Sequence, residues 1–391
     1  MTAVVPLDAE RAGARTRLGA LFALLVLLLL LGLPLAAAQP AASVADPDAG
    51  DEVGYVEGRI LEILDADAFQ GRALVRLEDG RVLEASLPAT DPYGPDDLPA
   101  FASGDRVELY FAPGPDGTRS YVVADWVRRP ALIILVALFL IASVAVAGFK
   151  GLRAFLSTAA SLAIVIGFVV PRIVDGHDPI VTSLIGVGGI LVLAIWFVHG
   201  VSWSTTAALI GTFLAAVLTM VLGIAFTDLA RLTGYGSEDA MLISAAAPQV
   251  ALRGLMLAGL MIGALGALTD ITIVQAAVIR ELAHVDPSAP VRKLYVHGMG
   301  VGRDHVGSLV NTLVLAYTGA ALPLLVLLSH GDFGFARSLN LELIAAEVVH
   351  TLVGSIGLIL AVPVTTLLAA VLFRGDRLPL APGELDHGHS H

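Results

Sequence analysis

Two carboxylates stand where an apolar chain offers them little compensation, and they are the first residues whose type could do chemistry. Asp270 closes the stretch Gly263-Ala-Leu-Gly266-Ala-Leu-Thr269-Asp270, ten residues ahead of Arg280. In a helix that offset is about 15 Å, close to half the thickness of a bilayer core. An ionisable group at such depth is costly, so it marks a functional position or a buried aspartate hydrogen-bonded to a neighbouring helix. Gly254, Gly259, Gly263 and Gly266 precede it and offer a small-residue surface for another helix. The second carboxylate, Asp304, opens a series: at 100° per residue Asp304, Ser308, Asn311 and Thr318 fall on one helical face. Such a stripe needs a partner helix or water, because lipid leaves its groups unsatisfied.

Other patterns are weaker. Gly298-Met-Gly300-Val-Gly302-Arg303 predicts a flexible segment entering a helix N-terminus, where free amides and Arg303 could receive an anion. A plain cytoplasmic turn explains it equally. Glu347 and His350 have the Glu-x-x-His spacing that places both groups on one face, compatible with a metal or with an interfacial pair. Tyr317 lies off the stripe and reads as a secondary candidate or a packing aromatic. His177 and His199 fall at span ends, where interfacial solvation accounts for them. The tail His387-Gly-His389-Ser-His391 reads as disordered or as an adventitious metal binder. No cofactor is expected, and the metal question stays open.

The elements that must hold these residues follow from composition. The 391 residues are 56% hydrophobic and only 15% charged, against about 25% charged in a soluble domain. Mean hydropathy is +0.82. Apolar runs predict spans near 131–149, 154–171, 180–198, 204–227, 252–279, 306–328 and 343–373. The last is over-long, hence tilted or broken at Pro363. The chain has no cysteine, which excludes disulfides and thiol chemistry.

Residues 1–40 carry Arg11, Arg15 and Arg17, an apolar run from Leu18 to Leu35, and Ala36-Ala37-Ala38. They read as a signal peptide or an uncleaved signal-anchor helix. Residues 41–129 form the only segment of soluble character. From Asp46 to Arg129 there are 18 carboxylates against 8 arginines, so most of the net charge of −12 sits there. With no basic patch to meet phosphates, a nucleic-acid partner is excluded. Alternation predicts strands at Val53–Leu64, Arg72–Leu77, Arg81–Leu87, Arg106–Phe111 and Ser120–Val127, with a hairpin at Asp79-Gly80. Five short strands suggest a small OB-like barrel, with a loop at Pro88, Pro92, Pro95 and Pro99.

The expected fold is an α-helical polytopic membrane protein. It has seven or eight transmembrane helices and a small extracytoplasmic all-β domain after the first hydrophobic segment. Residues 130–375 make the membrane domain and 376–391 a tail. With the barrel outside, the inner side collects 11 Lys and Arg and the outer membrane-domain loops 4, which sets the C-terminus in the cytoplasm.

The same residues carry a family resemblance. Gly254-Leu-Met-Leu-Ala-Gly259-Leu-Met-Ile-Gly263-Ala-Leu-Gly266-Ala-Leu-Thr-Asp270-Ile resembles the glycine-rich signature of YibE/F-like membrane proteins. So does Gly302-Arg303-Asp304-His-Val-Gly307-Ser-Leu-Val-Asn311-Thr312, continuing to Ala316-Tyr317-Thr-Gly319. Gly354-Ser355-Ile356-Gly357 with Pro363 is similar to the family's last span, and Phe149-Lys150-Gly151 to its first cytoplasmic turn. His305 departs from the pattern, which usually has an apolar residue there. The resemblance runs from about residue 50 to 375. It implies a bacterial multispanning fold in the plasma membrane and favours Asp270, Arg303, Asp304 and Asn311, without supplying a substrate.

Three functional classes remain. A transporter or channel for a small solute or ion would use Asp270 as a proton- or cation-linked site and the Asp304–Asn311 stripe as a path, with broken helices at Gly300–Gly302 and Pro363 framing a midplane site. A non-transporting assembly protein would use the barrel to bind an envelope partner, and a homo-oligomer is compatible with either. No HExxH, GxSxG or nucleophile–base pair supports an enzyme.

Overall fold

The computed structural model describes residues 53–65, 71–88, 100–113, 118–330 and 334–373. The N-terminal signal or anchor, most of the proline loop and the histidine tail lie outside them. The chain divides into two compact units, Met1–Ala142 and Ser143–His391.

The first unit holds five strands: β1 Gly54–Asp65, β2 Arg72–Leu77, β3 Val82–Ser86, β4 Arg106–Pro113 and β5 Arg119–Trp126. They close in the order β1-β2-β3-β5-β4. The pairs are antiparallel except β3 with β5, which meet at Ser86 and Val122. Alternation produces this arrangement directly. Ile60, Val75, Leu77, Val107, Leu109 and Val123 point inward and are buried, while Arg72 and Glu84 pair outside at 2.8 Å. The expected hairpin forms: Leu77 N donates to Arg81 O at 2.8 Å, and Gly80 takes the left-handed conformation (φ 87°) that a three-residue loop requires.

Helix α1, Arg129–Ile164, leads into a π-helical segment, Val165–Val169, and α2, Val170–Val174. Gly148 interrupts α1 with φ 57° and ψ −136°. A straight helix would separate residues 143 and 151 by about 12 Å, yet Ser143 Oγ donates to the Gly151 carbonyl at 3.1 Å. The chain therefore turns sharply where the sequence divides two spans, beside Phe149-Lys150-Gly151.

Helix α3, Pro179–Leu191, passes into a second π-helical segment, Val192–Phe197. Asp178 caps it by accepting from Val181 N at 2.9 Å. Helix α4, Trp203–Leu229, starts at a capping box of Ser202 and Thr205. A short α5, Glu238–Ala246, precedes α6, Leu252–Val285, and α7, Val291–Ala320. The expected span 306–328 is divided at Ala321 between α7 and α8, Leu322–His330. After α9, Phe335–Ser338, the last helix α10 runs unbroken from Glu342 to Leu372 with Pro363 inside it. The break expected at Pro363 does not occur.

Central α6 packs on α3, α4, α7 and α10, and α4 also packs on α10. Among the described residues five helical stretches are long and apolar enough to cross a membrane: Arg129–Val174, Pro179–Phe197, Trp203–Leu229, Leu252–Val285 and Glu342–Leu372. The first contains the Gly148 turn and so covers two expected spans. α7 is as long as several of these but carries Arg292, Lys293, Arg303 and Asp304, and it is not among them.

Candidate functional site

Most of the candidate residues ride on α7, whose inner face is built by glycine. A Cβ at Gly302 would stand 2.5 Å from Val362 and 3.1 Å from Gln275 Oε1, and one at Gly298 would collide with Ile279. Gly298 and Gly302 are buried where α6, α7 and α10 meet. They lie in mid-helix, since α7 begins at Val291 behind Pro290. The flexible segment with free amides therefore does not form, and the anion site built on it falls. Local glycine propensity suggested a turn, whereas close helix approach is what these residues provide.

The space they leave is taken by Gln275, which is fully buried. Its Nε2 donates to the Gly298 carbonyl at 2.8 Å and to Thr366 Oγ1 at 2.7 Å, tying three helices together. Its Oε1 has no hydrogen-bond partner among the described residues. One amide in an apolar run was the signal that could have singled it out.

The outer face of α7 matches the spacing argument. Asp304, Ser308, Asn311 and Thr318 are all exposed on it, with Arg303 beside them. Gly298 lies against Gln275 and Ile279, and Tyr317 lies against Gly263, so α7 runs antiparallel to α6. The stripe therefore follows the apolar span α6 at the same level for about 21 Å.

Asp270 is exposed on the face of α6 that also shows Gly259, Gly263 and Gly266. His199, just past the second π-helical segment, lies within electrostatic reach of it. His199 is a histidine that span-end solvation had seemed to explain.

Tyr317, Thr318, Glu347 and Thr351 come together in a cavity of about 220 Å³ whose remaining wall is apolar, including Leu325 and Ile344. The Tyr317 hydroxyl is turned to Gly263 of α6 and buried there without a partner among the described residues, and Glu347 makes no ion pair or hydrogen bond among them. His350 does not line this space; its ring faces the Met256 backbone and its Nε2 is buried unpartnered. Among the described residues no three His, Cys, Asp or Glu side chains gather for a metal ion.

A family model described as YibE/F-like protein matches residues 135–375, well over half of the chain. The chain belongs to the YibE/F-like family. Its match begins at residue 135, later than the resemblance near residue 50 suggested, and so covers the helical part without the barrel. No curated protein and no solved structure matches the chain. Family and apolar helices together mark a membrane protein. In this YibE/F-like chain the block that begins at Gly302 serves packing through that glycine, and the cavity is lined by Tyr317 from the same block.

Proposed function

We propose that this protein moves a small solute or ion across the bacterial plasma membrane along the outer face of α7. One observation carries the reading: Thr318 is both the last residue of the polar stripe and part of the cavity wall beside Glu347. A line of polar groups that ends in a cavity bearing a carboxylate is the form a solute path takes through an apolar domain. Asp304, Ser308 and Asn311 line it, Arg303 and Asp304 stand at its entrance, and Asp270 with His199 forms a neighbouring charged station. Glu347 and Tyr317, secondary on sequence grounds, become principal here, while His350 stands apart from the cavity.

The topology that goes with this reading has seven spans, or eight with the N-terminal segment retained. Arg129–Val174 counts as two, and α7 with α8 as one. The barrel, OB-like in its strand order, is extracytoplasmic and the C-terminus cytoplasmic. The protein is not an enzyme and needs no cofactor.

Replacing Asp304 by Asn and Glu347 by Gln, singly, tests the reading in proteoliposome flux or growth complementation. Each variant is expected to insert and elute like the parent while losing most activity. Full activity in both refutes the pathway. The second reading, an assembly protein, draws on the barrel, where exposed Tyr55 lies 5.5 Å from Tyr110. It expects residues 53–127 to retain an envelope partner in pull-downs while both variants stay functional.

A further inference from the structure

Helix α7 is covered on one side only. Gly298, Gly302 and Leu313 are buried against the rest of the bundle, whereas Gly300, Asp304, Gly307, Asn311 and Thr318 on the opposite side are exposed. With half-buried Val314, these exposed residues follow one another in steps of four and three, the heptad spacing of a seam between two helices. Gly300, Gly307 and Val314 take the d positions of that heptad and Asp304, Asn311 and Thr318 the a positions. Arg303 takes the g position just before Asp304.

Two features of the seam have no explanation within one copy. Among the described residues Arg303, Asp304 and Asn311 make no side-chain hydrogen bond or ion pair, although the stripe runs beside the apolar span α6. A Cβ at Gly300 or Gly307 would meet nothing within 4 Å, where one at Gly298 or Gly302 collides. Lipid leaves the polar groups unanswered, and the apolar run at residues 18–35 has no polar side chain to offer them.

A second copy of the chain answers both. Copies inserted with the same topology are related by a two-fold along the membrane normal, so α7 meets α7 in parallel and at one level. In such a seam each a residue sits beside the partner's a residue and the g residue before it. Asp304 therefore falls next to Arg303 of the partner subunit, and by symmetry the contact is made twice. Two carboxylates and two guanidiniums form a neutral cluster. Asn311, about 10 Å further along, faces its own counterpart, and an asparagine at an a position fixes the register of such a pair. Gly300 and Gly307 flank the cluster, where missing side chains let the helices approach.

We infer that the outer face of α7 is the interface between two copies of this chain, joined by reciprocal Arg303–Asp304 pairs. The inference rests on the pathway reading in one respect: the second copy supplies the wall that a path on the outside of a helix lacks. The chain has no cysteine, so a single introduced one reports proximity without depending on flux. Val314→Cys and Thr318→Cys in the full chain are oxidised in membrane vesicles, with Ile210→Cys, exposed on α4, as the control.

Both seam variants are expected to form a covalent dimer of twice the chain mass, and the control is not. In the Val314→Cys background, Arg303→Asp and Asp304→Arg should each lower the cross-linked fraction about tenfold or more, because like charges then face each other. The double reversal should restore it. Gly307→Leu serves as the test if a charge reversal fails to fold, since open space surrounds that position, and it should elute as a monomer. No cross-link at the seam, an equal one in Ile210→Cys, single reversals that change nothing, or a folded double reversal that recovers nothing overturns the inference. So does a cross-link within one chain from Val314→Cys to Leu25→Cys, which gives the face to residues 18–35, or an adduct with a different protein. A dimer whose flux ignores Asp304→Asn sinks the pathway and leaves the interface. Flux that is lost in Asp304→Asn without any cross-link at the seam sinks the interface and leaves the pathway.

Discussion

The two units of this chain differ in what they expose and in where they bury polar groups. In the barrel, large apolar side chains such as Ile60, Leu109 and Val123 are inside and ion pairs such as Arg72–Glu84 are outside. In the helical unit the exposed surface also carries Leu, Ile, Val and Phe, on α3 and α4 among others, and the interior mixes large apolar side chains such as Leu191, Leu268 and Leu358 with alanine, glycine and, among the described residues, every buried polar side chain, from Ser157 and Thr182 to Gln275 and Thr366. The same physics applied to two solvents accounts for the difference. Water expels apolar area and so drives the barrel closed. Lipid is as apolar as leucine, so helices gain nothing by hiding leucine and associate through close backbone approach and interhelical hydrogen bonds.

The contrast can be broken from either side. The largest effect is expected from Gly302→Ile, which must push Val362 and Gln275 apart and separate α7 from α6 and α10. Overpacking of this kind costs about 1–3 kcal/mol or more, and thermal unfolding in detergent should show an early, broadened transition. An unchanged transition would mean that the interior is loose. Next comes Leu109→Ala in the barrel, where truncating a buried leucine costs about 2–5 kcal/mol. Limited proteolysis should then cut residues 53–127 while the helical unit stays resistant. Leu268→Ala in α6, equally buried, should cost less than Leu109→Ala, because lipid leaves no hydrophobic penalty to recover. Equal costs would remove the distinction between the two solvents.

A finer test lies in Thr212 and Thr272, whose hydroxyls meet at 2.5 Å between α4 and α6. The double-mutant cycle to valine should give a coupling of about 0.6 kcal/mol. The smallest effect belongs to Asp286, outside the spans, whose carboxyl is held below its usual range by the Lys293 ammonium at 2.8 Å and by Ser288. A carboxylate with a lowered folded value adds stability only while ionised, so its contribution is present at neutral pH and fades as acid protonates it. Asp286→Asn should therefore lower the unfolding temperature slightly at neutral pH, with the difference from the parent vanishing in acid.

Much was legible without coordinates, for reasons that particular residues make plain. The five strands lie within about two residues of their expected limits because alternation at Arg72–Leu77 or Arg106–Phe111 has one period and one meaning. The apolar runs gave helix positions for the same reason, and the stripe from Asp304 to Thr318 emerged on one face because 100° per residue is set by the helix itself.

What escaped were the pairings between distant segments. The period of α7 says that Asp304 and Thr318 share a side but not what lies opposite. Asp270 has His199 for its charged neighbour because α3 lies along α6 and its π-helical end delivers that histidine. Tyr317 and Glu347 share a cavity because α7 and α10 pack side by side. Glycine at 298 and 302 reads as flexibility locally and becomes tight packing only where Gln275 and Val362 stand against it. Sequence by itself determined the elements, their solvent and their polar faces, since those depend on near-neighbour spacing and transfer energies. Tertiary structure alone decided which faces meet, because helix contacts in lipid are chosen by shape and single hydrogen bonds that leave no periodic trace along the chain.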